Sequence, residues 1–431
     1  MLAHHQMIDL RGHLSLRPEG SDRVLATPRF SKQCLPRGIE ADDILVCDTR
    51  GGVMEGRGEP PAGLASDLAG YRDNPERRAS IFAAPQYAMA AAIADYDLKP
   101  LTHMESVLVF DPSPIAHEPG IGVRATGKDI HECLAAMYHL EYLSQVNSLV
   151  AGEADMRAVA REDSDQIWRQ FRGHDHYHEF FASLDPGPRE HPYEVFLRKT
   201  STDEKLKAAL AFSCRALWER GTLVAFLEHI SHRAPDSGLF YMTASKNYRD
   251  MEPADVCVLD YEANSVSGPR PPGFKWFHAQ LLRERQDAKA VVHTHDVLGR
   301  AYALSSRRLV PCYRVGLDIA TRPLPVYGRC DLIVDPEVRR QTIDALADGP
   351  IVHEIGHGTD FVADNLEQAT VDAIQREAFL AMDSLARRFG TPQPVLQKKI
   401  AELKNTEPTP GDWWWFYAAE VGAPRRSAAG L

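Results

Sequence analysis

No uninterrupted apolar run of about 18 residues occurs in this chain, so a membrane-spanning helix is not expected. The N-terminus also lacks a basic stretch followed by an apolar one, so the reading is of a soluble, cytoplasmic protein. There is no basic excess either: 49 Lys and Arg stand against 60 Asp and Glu, a net charge of −11, which argues against nucleic-acid binding through phosphate contacts. Cysteine is sparse, at seven residues in 431. Cys34, Cys47, Cys133, Cys214, Cys257, Cys312 and Cys330 show no paired, metal-like spacing and read as reduced, mostly buried residues. What is present is ordinary globular material, 44% hydrophobic and 25% charged. The length suits two domains of roughly 150 to 200 residues each.

The most informative stretch is Ala290-Val291-Val292-His293-Thr294-His295, an apolar strand-like run that ends in two histidines. Side chains two apart in a strand point to one face, so His293 and His295 can grip a single cation. Alone, the pair is weak evidence, since a solvated strand end is the commoner reading of such a spacing. A third ligand must come from elsewhere, and the candidate is His357 in Gly356-His357-Gly358, which follows an apolar stretch and precedes a helix beginning near Asn365.

The surroundings of these histidines form an ordered series. Ala211 to Gly221 reads as a helix with a glycine stop, and His229-Ile230-Ser231-His232-Arg233 as the next strand. Pro253-Ala254-Asp255-Val256, Val258-Leu259-Asp260, a helix carrying His278, the His-Thr-His strand, and Gly356-His357-Gly358 with a helix through Glu377 follow in turn. From about Leu206 to Gly390 this order resembles the class II aldolase/adducin family. The resemblance implies an α/β class, with an α/β/α fold often assembled as fourfold tetramers. It also implies that His293, His295 and His357 bind one divalent metal ion, zinc first, with iron or manganese as alternatives.

An internal repeat organises the rest. Gly12-His13-Leu14-Ser15-Leu16-Arg17 parallels Glu228 to Arg233, Asp43 to Asp48 parallels Asp255 to Asp260, and Pro60-Pro61 parallels Pro271-Pro272. His117 to Gly122 matches His353 to Gly358, and Glu141 falls opposite Glu377. The register puts Phe82 opposite His293, Ala84 opposite His295 and Ile121 opposite His357, so the first copy is expected to be metal-free and to serve as scaffold or as a wall of the second site. The expected organisation is two tandem class II aldolase-like α/β/α domains: 1–146 degenerate, 147–203 linker, 204–395 metal-binding, and 396–431 a C-terminal tail. The first copy begins at the equivalent of the end of the first family helix, so it reads as truncated, or as started further upstream.

The linker carries a histidine cluster from His174 to His178, read as solvated chain rather than a second metal site. The tail carries Trp413-Trp414-Trp415-Phe416-Tyr417, too costly to leave in water and so expected to pack on the core or on a neighbouring chain.

Two departures from the family bear on chemistry. Family aldolases place an acid/base glutamate four residues before the histidine equivalent to His278, and here that position is Phe274. Sugar-phosphate members cradle phosphate with a Gly-Asn-Ile-Ser segment, whereas this chain has Glu228-His229-Ile230-Ser231, whose acidic residue repels phosphate. The substrate is therefore read as a non-phosphorylated carboxylate or aromatic compound. Glu228, His229 and Lys275 are the candidate replacement proton carriers. Ser231, Thr243 and Phe274 are candidate substrate contacts, and Asp296 a candidate to orient a ligand imidazole.

The leading reading is a metal-dependent lyase that cleaves a C–C bond by decarboxylation or retro-aldol chemistry on a small-molecule substrate, with no membrane or nucleic-acid partner. A non-haem iron oxygenase using the same three histidines is the first alternative, and an adducin-like interaction protein without catalysis the second. A homodimer or homotetramer is expected.

Overall fold

A computed structural model describes residues 7–8, 12–30, 39–103, 105–118, 122–152, 156–172, 201–223, 227–235, 237–305, 307–313, 315–322, 324–330, 335–395, 398, 400–401 and 408–422. The chain forms two compact units, Met1–Gly152 with Ala158–Gln170, and Glu153–Arg157 with Phe171–Leu431. Cys34, Ile121 and the histidines from His174 to His178 lie outside the described residues.

The first unit is built on a seven-stranded sheet. Its strands are β1 (His13–Leu16), β2 (Arg23–Ala26), β3 (Leu45–Asp48), β4 (Val53–Glu55), β5 (Ala79–Ala83), β6 (Ile115–Glu118) and β7 (Gly122–Gly127), in the order β4-β3-β2-β1-β5-β7-β6. The second unit has eight strands. They are β8 (His229–Arg233), β9 (Leu239–Thr243), β10 (Val256–Asp260), β11 (Ser265–Ser267), β12 (Ala290–Thr294), β13 (Val326–Tyr327), β14 (Ile351–Glu354) and β15 (Thr359–Ala363), in the order β11-β10-β9-β8-β12-β15-β14-β13. Apart from the added edge strand β13, which pairs parallel to β14, one order repeats the other strand for strand. The repeat read from sequence is thus a repeat of topology. The register agrees as well, since β5 places Phe82 between His13 and Arg124 just as β12 places His293 between His229 and Asp360.

The central strands β5 and β12 are buried along their whole length, which explains why Ala290-Val291-Val292 reads as a continuous apolar run rather than an alternating one. In the second unit the Thr202–Glu219 helix packs on β8, β9 and β10, and the Leu366–Phe389 helix on β12 and β15. Phe212, Leu217, Ile230, Val292 and Phe361 fill the space between. The Asn365 side chain starts the long helix by accepting from the Gln368 amide at 2.7 Å. Asn365→Ala should cost about 1 kcal/mol, read from the urea midpoint of the second unit.

The aromatic tail forms the Pro410–Gly422 helix, which packs on the two helices just named. Trp414 and Tyr417, three residues apart and so on one helix face, are buried. The Trp414 indole stands edge-on to Phe212, with centroids 4.6 Å apart, and donates to Ser213 Oγ at 3.1 Å. Trp415 and Phe416 remain partly exposed. Six cysteines fall among the described residues and all are free thiols, with only Cys312 less than buried. Among the described residues no helix is long and apolar enough to cross a membrane.

Candidate metal centre

Sheet register assembles the site in the second unit. His229, His293 and Asp360 are direct neighbours across β8, β12 and β15, so their side chains rise from the same face at the same height. The His229 and His293 rings stack, with centroids 5.4 Å apart and an 18° interplanar angle. His295, two residues beyond His293, returns to that face. His357 arrives from the turn between β14 and β15, closed by Glu354 N to Gly358 O at 2.8 Å and His357 N to Glu354 O at 3.1 Å. Gly356 takes a φ of +66° there, a conformation that favours glycine.

The centroids of His293, His295 and His357 lie 4.9 Å apart in all three pairings. Metal–nitrogen bonds of about 2 Å put imidazoles that share one cation roughly 5 Å apart, so the three rings are spaced as corners of one coordination shell. All three are buried. Gly358 makes this approach feasible, because a Cβ there would come 2.4 Å from Thr294 O and 2.9 Å from His295 Cδ2. Gly358→Ala should displace the His293–His295 strand and lower zinc affinity at least tenfold, measurable by chelator competition.

Two carboxyls set the outer nitrogens. Asp360 Oδ1 lies 2.8 Å from His293 Nδ1, and Glu354 Oε2 lies 2.6 Å from His357 Nδ1. With Nδ1 so engaged, Nε2 of each ring is left to face a cation, and His293 Nε2 is buried with no hydrogen-bond partner among the described residues. His293, Glu354 and Asp360 themselves present ligand atoms within 4.8 Å of one another. Asp296 does not take the orienting role expected of it. It accepts instead from Thr294 Oγ1 at 2.8 Å, from the Gly299 amide and from Arg376, each at 2.5 Å, because its position starts the Val297–Leu304 helix. The true orienters carry a sequence signal: Asp360 is a carboxylate inside the otherwise uncharged strand Thr359–Ala363, and Glu354 precedes His357 by one tight turn.

The other candidates separate by face. His229 sits beside the three histidines. Ser231, on the same face, contacts His278 Nδ1 through its hydroxyl at 2.7 Å, and the His278 ring stands edge-on to His229 with centroids 5.6 Å apart. Phe274 begins the Lys275–Glu284 helix and lays its ring 5.2 Å from His229 and 6.0 Å from His357, a phenyl wall over the cluster. Glu228 acts electrostatically on Cys214 and Tyr248, under the Thr202–Glu219 helix and on the opposite face of the sheet. Thr243 is on that opposite face too, bound to the Ile230 amide at 3.0 Å. Lys275 reaches outward over Trp276, its Nζ 5.1 Å from the ring centroid. Of the three proposed proton carriers, the fold brings only His229 to the histidine cluster.

Burial pushes His278 and His353 down to about 3. Both are neutral in the folded protein and charge only on unfolding as pH falls below about 6.5. The unfolded chain then binds more protons, so metal-free protein should lose stability steadily from about pH 6.5 toward pH 3, as urea midpoints across that range would show.

The first unit holds the counterpart of this site without its ligands. Phe82 stands where His293 does and stacks on His13, with centroids 5.5 Å apart. Arg124 takes the place of Asp360, lies over the Phe82 ring at 5.0 Å and pairs with buried Asp67. Asp67 also accepts from Ser15 Oγ at 2.6 Å and Ser80 Oγ at 2.9 Å. A guanidinium thus supplies a positive charge at this level of the sheet.

The family model described as Class II Aldolase and Adducin N-terminal domain matches residues 1–140 and again 208–382. The chain belongs to the class II aldolase and adducin family. A 3,4-dihydroxyphthalate decarboxylase of Arthrobacter keyseri is 30% identical over 213 residues, 46% of this chain and 86% of the relative. A 4-hydroxy-3-prenylphenylpyruvate oxygenase/4-hydroxy-3-prenylbenzoate synthase of Streptomyces roseochromogenus subsp. oscitans is 36% identical over 67 residues, 15% of this chain and 24% of that protein. A solved aldolase II superfamily protein from Pseudomonas syringae covers 53% of this chain and 96% of its own, at 18% identity and a TM-score of 0.46. The chain is a class II aldolase-like carbon–carbon lyase, and its described residues include groups able to hold a divalent cation.

Proposed function

We propose that the chain decarboxylates a non-phosphorylated aromatic acid, at a divalent metal ion held by His293, His295 and His357 of the second unit. The observation that carries the reading is the equal 4.9 Å spacing of the three rings beside a phenyl wall in place of an acid/base carboxylate. Three neutral imidazoles suit zinc, with iron and manganese as alternatives, and such a cation would supply Lewis-acid stabilisation of developing negative charge. The relatedness to a decarboxylase of a dihydroxylated aromatic diacid supports the substrate class.

The chain's own residues do the rest. When the carboxylate leaves as CO2, its bonding electrons stay on the ring carbon, which must then take a proton. His229, buried and stacked on His293, is the group we assign to deliver that proton. The Ser231–His278 pair holds the far side of His229, and Phe274 presents an aromatic face to the substrate and keeps water from the reacting carbon.

The test is CO2 release from ortho-dihydroxylated benzene carboxylates by metal-loaded protein. His229→Gln should lower kcat by about a hundredfold to ten-thousandfold while metal content stays unchanged. Retro-aldol activity on a hydroxy-keto acid without CO2 release, or consumption of oxygen in step with turnover, would replace the decarboxylase reading. We further place the enzyme in the cytoplasm as a homodimer or homotetramer, which fractionation and light scattering test.

A further inference from the structure

Behind the histidine cluster, on the other face of the same sheet, lies a buried ion pair that the proposed chemistry leaves unused. Side chains alternate along β12 and β15, so where His293 and Asp360 face the cluster, their neighbours Thr294 and Thr359 face the Leu366–Phe389 helix. Arg376 of that helix is fully buried, its guanidinium 4.8 Å from the centroid of the Phe361 ring. Its Nη2 donates to Asp296 Oδ2 at 2.5 Å and its Nη1 to Thr359 Oγ1 at 3.3 Å, while Thr294 Oγ1 donates to the same Asp296 oxygen at 2.8 Å. One guanidinium therefore ties the end of β12 to the start of β15. The tied residues flank the ligand candidates: Thr294 stands between His293 and His295, Asp296 follows His295, and Thr359 lies two residues after His357. Gly299 leaves the room for this, since a Cβ there would collide with Arg376 Nη1.

The first unit shows what the tie is for. In the register that sets Phe82 opposite His293 and Glu141 opposite Glu377, Ala83 replaces Thr294, Pro85 replaces Asp296, Val123 replaces Thr359 and Leu140 replaces Arg376, and Ala88 stands in place of Gly299. All five are buried, and Ala83 still pairs with Val123 as Thr294 does with Thr359. Sheet and long helix thus pack without the tie where the three ligands are gone. Capping does not account for it either. The helix that follows β5 is capped by Glu141, which accepts from the Tyr87 and Ala88 amides at 3.1 and 2.9 Å. The polar tie therefore goes with the histidines, not with the fold.

We infer that Arg376 is a positioning residue for the metal centre: by holding Asp296, Thr294 and Thr359 it fixes the strand ends that present His293, His295 and His357. The inference rests on the three-histidine reading of the site.

The experiment compares Arg376→Leu, the pair Arg376→Leu with Asp296→Ala, and Arg376→Lys with the wild type, on the full chain. Zinc affinity is read by competition with a chromophoric chelator, and ligand geometry by the visible spectrum of the cobalt(II) form at saturation. Arg376→Leu and the pair should each weaken zinc about tenfold or more and alter the cobalt band. Arg376→Lys keeps the charge but not the two-armed reach, so it should fall between them and the wild type. Asn365→Ala, which weakens the same helix at its far end, should bind zinc as the wild type does. Zinc affinity within about threefold of wild type in both leucine variants, or an equal loss in Asn365→Ala, overturns the inference. Urea unfolding in chelator checks that each variant folds. The pair leaves no buried carboxylate without its cation, so it carries the test if Arg376→Leu alone does not fold. Failure of the site reading itself looks different, because the wild type would then bind no zinc, or bind it no better than His293→Ala.

Discussion

Replacing His293 by alanine should remove the bound metal and lower turnover by at least about a thousandfold, since a cation at the reacting oxygen contributes several kcal/mol to the transition state. His293 is held from several sides. Its ring touches His229, His295 and His357, and its Nδ1 engages Asp360. The substitution therefore removes a ligand and leaves the Asp360 carboxyl facing a void. Single-turnover assays with saturating metal separate the two effects: restored activity at high metal would mean weakened binding only, and persistent loss means the chemistry needs this imidazole.

Arg124→Ala should destabilise the first unit by about 3 kcal/mol or more without changing metal content. Asp67 is fully buried and Arg124 nearly so, and the pair is braced by Ser15, Ser80 and His13. Deleting the guanidinium leaves a carboxylate in low dielectric with only neutral hydroxyls and one imidazole, and strips the Phe82 ring of its cation. The urea midpoint of the first unit is the readout. A neutral effect would mean that the remaining hydrogen bonds to Asp67 suffice without the guanidinium. A matching loss of bound metal would contradict the assignment of the ion to the second unit.

Much of this was legible in the chain itself. The strand pairings depend on residues with period-two or fully apolar patterns, so the repeat and the placement of Phe82 opposite His293 followed from the sequence. His-x-His on a buried strand is visible because the spacing alone fixes the shared face. The sorting of proton carriers was not legible, because adjacent positions such as Glu228 and His229 differ only in which face the pleat gives them, and that needs the register. Asp296 misled for a related reason. It adjoins His295 in sequence, but its position at a helix start directs its carboxyl to backbone amides and to Arg376 from a helix eighty residues on. The orienting carboxyls were missed since Asp360 meets His293 only across a strand pairing that joins positions 67 residues apart.

The central claim is that one cation sits among His293, His295 and His357. Elemental mass spectrometry of protein purified without oxygen, with His293→Ala prepared in parallel, tests it most directly. The account predicts about one equivalent of zinc, or of iron or manganese, per chain in the wild type and almost none in the variant. Equal metal in both proteins, or two equivalents per chain, would contradict it.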